Sequence, residues 1–150
     1  MDRKLFRKTL EFAVQNEAEA QRFYRRAAEV TSNGALRSLF RELSKEEAKH
    51  KAMIERFLAN QEMEIRFDRV PDRLLPSRPG PFPSAEMAIA DALRLAMKKE
   101  EEAKDLYTGL AKGCDDPEER KVFLDLAAME MGHRQMLENA YSDAGFPTEW

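Results

Sequence analysis

The chain has 150 residues, of which 35% are charged and 43% hydrophobic, and this length suits a single domain, taken as residues 1–150, with its own hydrophobic core. A formal net charge of −3 predicts no nucleic-acid partner. No apolar run reaches the roughly 18 residues of a membrane span or resembles a signal peptide, so we expect a cytoplasmic protein without membrane contact. The one cysteine, Cys114, excludes an intrachain disulfide and any four-cysteine iron or zinc centre.

The first part of the chain, about residues 3–60, is predicted to form a helical hairpin. Apolar residues recur there in alternating steps of three and four, the spacing of helices that each bury one face. Near mid-helix the apolar seam is interrupted by Glu17 in the first helix and by Glu47 and His50 in the second. These side chains therefore point toward the interior of the predicted bundle.

A long connection, residues 61–83, is predicted to follow the first hairpin. Its five prolines, all between residues 71 and 83, exclude a continuous helix. A stretch of this length can run along a helix of about 28 residues, which rises about 1.5 Å per residue. We expect a crossover that lets the second hairpin pack beside the first with its helices running as in the first half.

The second hairpin is predicted over about residues 84–144, with Glu100 on the third helix and Glu130 and His133 on the fourth. The fold class is therefore all-α: a four-helix bundle of two repeated hairpins joined by one proline-rich crossover.

The ends of the helices are also predicted. Ser32 or Asn33 can cap the second helix and Ser84 the third, while Asp115–Glu119 opens the fourth helix with a capping acid and a proline in its first turn. We expect Cys114, in the turn before it, to be an exposed thiol.

The metal-type residues occur twice, 83 positions apart. The pairs are Glu17 and Glu100, Glu47 and Glu130, and His50 and His133. A carboxylate on an apolar seam is costly to bury without a partner, so four of them at one level require a shared cation. We assign the neighbouring acids Glu46, Glu101 and Glu102 to solvent.

The spacing within each pair suits metal binding. Residues three apart on a helix lie about 60° apart around the axis and about 4.5 Å along it, so Glu47 and His50 can reach one ion together, as can Glu130 and His133. The glutamates of the other two helices can bridge or cap the pair of ions. Four carboxylates balance two divalent cations, and the same ligand set serves di-iron and di-manganese bundles.

Mixed oxygen and nitrogen ligands suit iron or manganese, with zinc as a possible surrogate. Iron is favoured because a pair of iron ions can cycle between diferrous and diferric states with peroxide or dioxygen as the oxidant. The expected cofactor is therefore a pair of iron ions.

Two tyrosines, Tyr24 and Tyr107, follow Glu17 and Glu100 by seven residues, on the same helix face. Their hydroxyls can hydrogen-bond to carboxylates of the opposite hairpin and orient them. They can also supply an electron to a reactive oxidised centre. The alternative is a pair of core tyrosines with satisfied hydroxyls and no redox part.

Four segments resemble the rubrerythrin branch of the ferritin-like superfamily: NEAEAQRFY, FRELSKEEAKH, KEEEAKDLY and FLDLAAMEMGH, one from each helix. The resemblance implies a ferritin-like fold and the six repeated glutamates and histidines as iron ligands. It also implies peroxidase activity, in which hydrogen peroxide is reduced at a di-iron centre with electrons from rubredoxin-type domains. Ferritin-like relatives instead oxidise ferrous iron for storage.

The chain departs from these relatives in several ways. It lacks the four cysteines of a rubredoxin domain, so we expect an external electron donor such as a rubredoxin-type protein. Ala103 stands where rubrerythrins carry an extra glutamate, which puts their ligand exchange in doubt here. Ala48 stands where bacterioferritin has a haem-ligating methionine, so no haem is expected. The short segment after the fourth helix favours a small oligomer, most simply a homodimer.

Three functions follow as hypotheses. The first is a di-iron oxidoreductase that reduces hydrogen peroxide with external electrons. The second is a ferroxidase or iron-handling protein. The third is a non-catalytic metal-binding or structural bundle.

Overall fold

The computed structural model describes residues 3–60 and 89–145, and these form four α-helices. Their bounds are α1 Arg3–Val30, α2 Gly34–Asn60, α3 Ile89–Lys112 and α4 Pro117–Asp143. The predicted all-α class and four-helix bundle are confirmed. The predicted crossover and the Ser84 cap lie outside the described residues. Within the described ranges, none of the helices combines the length and the apolar character needed to span a membrane.

Local hydrogen bonds explain where α2 and α4 begin. The Asn33 side chain accepts hydrogen bonds from the backbone N–H groups of Ala35, at 2.9 Å, and Leu36, at 3.1 Å, so Asn33 is the cap of α2. Asp116 caps α4 by accepting from the N–H of Glu118 at 2.9 Å, and a proline occupies the first helical turn. Both caps satisfy N–H groups that have no partner inside the helix.

The two hairpins pack with α1 against α3 and α2 against α4. Tyr24 of α1 contacts Glu100 of α3, while Glu17 of α1 contacts Tyr107, so residue numbers rise along α1 as they fall along α3. The expectation that the second hairpin runs in the same directions as the first is therefore wrong. The hairpins are instead related by an approximate two-fold axis perpendicular to the helices.

The physical reason is the position of the ends that the crossover joins. Leu58, near the end of α2, packs in one core cluster with Leu10, whereas Ile89, at the start of α3, packs in another with Ala27 and Leu36. These clusters lie at opposite ends of the bundle. Helix α3 therefore starts where α2 started, and it runs parallel to α2 and antiparallel to α1.

The core consists of these two apolar clusters. One includes Phe23, Phe40 and Leu93, and the other includes Ile54 and Phe123. A layer of buried charged side chains lies between them, so water is kept from that layer at both ends of the bundle.

Cys114 belongs to the second cluster and is only 4% exposed. The expectation of an exposed thiol is wrong, because the turn between α3 and α4 folds back over the end of the bundle. Its backbone carbonyl accepts hydrogen bonds from the Arg120 guanidinium at 2.9 and 3.3 Å, which holds the turn in place.

Candidate metal centre

Six ionisable side chains meet in the charged layer at the middle of the bundle. Helices α1 and α3 each contribute one carboxylate, and α2 and α4 each contribute a carboxylate and an imidazole. The exposed fractions are Glu17 2%, Glu47 1%, His50 1%, Glu100 2%, Glu130 1% and His133 6%. The structure thus brings together all six metal-type residues predicted from the repeat.

Each histidine reaches across to the opposite hairpin. His50 Nδ1 lies 2.7 Å from an oxygen of Glu130, and His133 Nδ1 lies 2.9 Å from an oxygen of Glu47. The two imidazole rings stack with their centroids 5.4 Å apart and their planes 9° from parallel. Both Nδ1 atoms therefore face the carboxylates and are the nitrogens placed for metal binding.

The ligand atoms fall into two overlapping groups, each with its atoms within 4.8 Å of one another. One group has a carboxylate from α1 and a histidine from α2, and the other has their counterparts from α3 and α4. The groups are Glu17, Glu47, His50 and Glu130, and Glu47, Glu100, Glu130 and His133. Glu47 and Glu130 belong to both. They are therefore placed to bridge two ions, while Glu17 and Glu100 are placed to cap one each.

Two buried oxygens show that this donor set fits metal ions. Oε2 of Glu17 and Oε2 of Glu100 are buried and have no hydrogen-bond partner, although Nδ1 of His133 lies 3.6 Å from the Glu100 atom. Burying a carboxylate oxygen without a partner is costly, and a cation removes that cost. Four carboxylates and two imidazoles also match the ligands of carboxylate-bridged dinuclear centres.

The pKa values of the carboxyls reflect the repulsion inside the donor set. Burial, followed by the nearby Glu17, raises the pKa of Glu47 well above its ordinary value, and burial with the contact to Glu100 does the same to Glu130. Burial alone would also raise the pKa of Glu100, but its polar contacts with Glu130 and His133 outweigh that effect and lower it. Without cations, protons must offset part of the negative charge.

The two tyrosines orient the capping carboxylates. Tyr24 donates a hydrogen bond to Oε1 of Glu100 at 2.5 Å, and Tyr107 donates one to Oε1 of Glu17. These contacts to the opposite hairpin are the ones predicted. In both glutamates the other oxygen, Oε2, is the buried atom without a partner, so each tyrosine holds one oxygen and leaves the second toward the metal position.

Burial and the surrounding carboxylates also act on the tyrosines themselves. They raise the pKa of both hydroxyls well above 10.0, with burial as the larger cause. The hydroxyls therefore stay protonated and remain donors.

Glu46 lies nearer the centre than the sequence pattern predicted. Its side chain is 30% exposed and pairs with Lys49 at 3.3 Å, as expected of an acid in solvent, but one of its oxygens also lies within 4.8 Å of a nitrogen of both His50 and His133. Its position four residues before His50, on the same helix face, was the available signal. Glu101 forms ion pairs with Lys104 and Arg134, which keeps it at the surface as expected.

Comparison with known proteins gives a family and a fold. A family model described as Rubrerythrin matches residues 8–141. A solved structure of a hypothetical protein from Pyrococcus furiosus is 28% identical, has a TM-score of 0.82 and is matched over 91% of this chain and 88% of that one. A manganese catalase, KatB from Anabaena, is 17% identical with a TM-score of 0.71, over 95% of this chain and 75% of that one, which is a likeness of fold alone. None of the curated proteins searched matches the chain.

Proposed function

Because the chain belongs to the rubrerythrin family, we propose that it is a di-iron carboxylate oxidoreductase that reduces hydrogen peroxide with electrons from an external donor. The observation that carries the proposal is the pair of overlapping four-residue donor groups, buried at mid-bundle and sharing Glu47 and Glu130. A buried, nearly neutral dinuclear site is suited to redox chemistry because the apolar clusters on both sides exclude bulk water.

The donor set supports iron as the resident metal. Oxygen and nitrogen ligands without thiolate suit iron or manganese, whereas zinc has no redox chemistry and would serve only as a surrogate. When bound, two iron ions supply the two electrons that, with two protons, convert hydrogen peroxide into two water molecules. The four ionised carboxylates offset the charge of two divalent ions.

The protein side chains have separate tasks in this proposal. Glu47 and Glu130 would bridge the ions, while Glu17 with His50 and Glu100 with His133 would complete the two coordination shells.

The tyrosines act on these ligands rather than on the substrate. Tyr24 and Tyr107 keep the hydroxyl proton and hold the capping carboxylates in one orientation, so little rearrangement is needed when the centre reacts. A redox part for the two tyrosines remains a prediction.

The reductant and the assembly are also part of the proposal. We propose that an external donor, such as a rubredoxin-type protein, returns electrons to the centre and that the chain acts as a cytoplasmic homodimer. Cross-linking and light scattering test the assembly, and re-reduction of the oxidised protein by reduced rubredoxin tests the donor.

The test is anaerobic loading with ferrous iron, followed by separate additions of hydrogen peroxide and dioxygen. We expect two irons per chain, fast oxidation by peroxide, slower oxidation by dioxygen, and no release of dioxygen from peroxide. The variant Glu130→Ala should lose the reaction, whereas Glu118→Ala, an exposed acid on the same helix, should keep it.

The same experiment separates the alternatives. Continued uptake of iron beyond two per chain would show a ferroxidase. Release of dioxygen from peroxide would show a catalase. Two bound metals with no spectral change on adding either oxidant would leave a metal-binding structural bundle.

A further inference from the structure

A cavity opens between α1 and α3, the helices that carry the capping glutamates. It is lined by all four carboxylates of the centre and by neither imidazole. Its other lining residues are Asn16, Ala20, Lys99, Glu102 and Ala103. The cavity therefore reaches the metal positions from the side of the bundle opposite the histidines, which come from α2 and α4.

The other sides of the centre are covered in the described part of the chain. The two apolar clusters close the ends along the bundle axis. The stacked rings of His50 and His133 lie on the α2 and α4 side, where they are 1% and 6% exposed. A small molecule that approaches between α1 and α3 meets none of these barriers.

Two alanines hold equivalent places in this cavity. Ala20 and Ala103 are 83 residues apart, and each follows a capping glutamate, Glu17 or Glu100, by three residues. Three residues is close to one helical turn, so each alanine stacks directly beside the glutamate on the same helix face. Both are only partly buried, and a side chain larger than a methyl group would fill the space in front of the carboxylates.

The volume limits what can enter. The cavity holds about 20 Å³, slightly more than the 10–15 Å³ or so that one water molecule needs on the same measure. A molecule of two heavy atoms, such as hydrogen peroxide or dioxygen, fits with small adjustments. The branched carbon group of an alkyl hydroperoxide is larger than this enclosed space and would have to remain outside it.

We propose that the oxidant reaches the centre through this cavity, and that Ala20 and Ala103 restrict it to molecules of two heavy atoms. This inference rests on the proposed function of the centre. It adds that alkyl hydroperoxides react more slowly than hydrogen peroxide, and that Ala20 and Ala103, which bind no metal, cause this difference.

A binding experiment tests the route without turnover. The wild-type protein and the variants Ala20→Leu and Ala103→Leu are loaded with ferrous iron under argon, and the binding of nitric oxide, a molecule of two heavy atoms, is followed by its visible absorption. We expect each leucine to slow association at least tenfold, with two irons per chain retained. Ala128→Leu, at an exposed position on α4, is the matched control and should bind at the wild-type rate.

Oxidation experiments extend the test to the substrate. Hydrogen peroxide should oxidise the leucine variants at least tenfold more slowly than the wild type, whereas ferricyanide, which takes electrons without entering the cavity, should oxidise all of them equally. Hydrogen peroxide should oxidise the wild type faster than tert-butyl hydroperoxide does. The ratio of these two oxidation rates should be smaller in the double variant Ala20→Gly, Ala103→Gly. If a leucine variant does not bind iron, the same rates are measured with valine at that position, because valine is intermediate in size between alanine and leucine.

The outcomes distinguish this inference from the proposed function. Iron-loaded leucine or valine variants that bind nitric oxide and react with peroxide at wild-type rates would overturn the access route. A different result would overturn the proposed function and support the access route. In that result, leucine at position 20 or 103 slows nitric oxide binding, but the iron-loaded wild-type protein does not react with hydrogen peroxide.

Discussion

At the scale of single residues, the centre depends on which carboxylate oxygens are already held by the protein. In Glu17 and Glu100, a tyrosine hydroxyl occupies Oε1, and Oε2 is buried without a partner. Glu47 and Glu130 instead belong to both four-residue donor groups. The two kinds of glutamate should therefore respond differently to substitution.

The bridging and capping positions can be separated by metal analysis. Glu47→Ala removes a ligand shared by both ions, so we expect tight dinuclear binding to be lost. Glu17→Ala removes a ligand of one ion, and we expect about one iron per chain to be retained. Two tightly bound irons in Glu47→Ala would contradict the assignment of the centre.

The tyrosine contacts predict a weaker effect on affinity. Tyr24→Phe leaves Oε1 of Glu100 without its donor, and we expect about a 10-fold loss of metal affinity, the lower end of the range for residues that orient metal ligands. Tyr141→Phe is the matched control, because that buried hydroxyl accepts a hydrogen bond from Arg94 at 2.6 Å in the apolar cluster and not at the centre. Competition with a chelating dye measures the affinity, and equal values for the two variants would refute the orienting role.

At the level of the helices, short polar caps decide where α2 and α4 begin. The Asn33 carboxamide oxygen accepts hydrogen bonds from two N–H groups at the start of α2, and both Asn33 and the adjacent Ser32 are exposed. The sequence pattern left these two residues as alternatives because both types are good N-caps. The structure distinguishes them, because the N–H groups of Ala35 and Leu36 donate to the side chain of Asn33.

Removal of the cap should be measurable in stability. Asn33→Ala should lower the free energy of unfolding by about 1 kcal/mol, because the two N–H groups lose their acceptor. Ser32→Ala should change it by less than about 0.5 kcal/mol, as expected for a surface position. Urea denaturation of both variants checks this, and a reversed order would assign the cap to Ser32.

In the molecule as a whole, like charges are clustered at the middle of the bundle, where they form the candidate metal site. Two apolar clusters flank that layer, so the repulsion among the carboxylates is not screened by water. Protons or cations must therefore stabilise the interior, and the stability of the metal-free protein should depend on pH.

The sign of this dependence follows from the pKa shifts. A carboxyl with a raised pKa, as in Glu47 and Glu130, contributes stability that is complete below its ordinary value of 4.5 and is lost as pH rises through the folded-state pKa. Glu100, with a lowered pKa, acts oppositely: its contribution is present above 4.5 and is lost as pH falls. Burial alone would lower the pKa of His133, but its contact with Glu100 outweighs that effect and raises it, so its contribution is also lost as pH rises above 6.5. These three groups should dominate above pH 4.5.

We therefore expect the melting temperature of the metal-free protein to fall as pH rises above 4.5. The fall should be smaller in the double variant Glu47→Gln, Glu130→Gln, which cannot ionise at these positions, and bound divalent metal should abolish it in the wild type. Melting curves from pH 4.5 to 8 in the presence of a chelator measure the effect. Parallel curves for the wild type and the double variant would refute it.

Much of this protein was predictable from sequence because the deciding features are local. The positions of Glu47 and His50 on one helix face follow from helical geometry alone, and the repeat 83 residues later assigns Glu130 and His133 by the same rule. A carboxylate on an apolar seam is costly to bury alone, which indicates a cation site whatever the arrangement of the helices. Fold class, helix faces and candidate ligands were therefore determined by the sequence itself.

Tertiary structure decided what depends on the relation between hairpins. The antiparallel packing of α1 and α3, the sharing of Glu47 and Glu130 between two donor groups, the burial of Cys114 and the cavity at Ala103 all arise from contacts between residues far apart in sequence. Periodicity states which face of a helix is buried, but not which helix covers it or in which direction that helix runs. Those choices follow from the packing of whole helices, whose energy is distributed over many side chains and is not carried by any one motif.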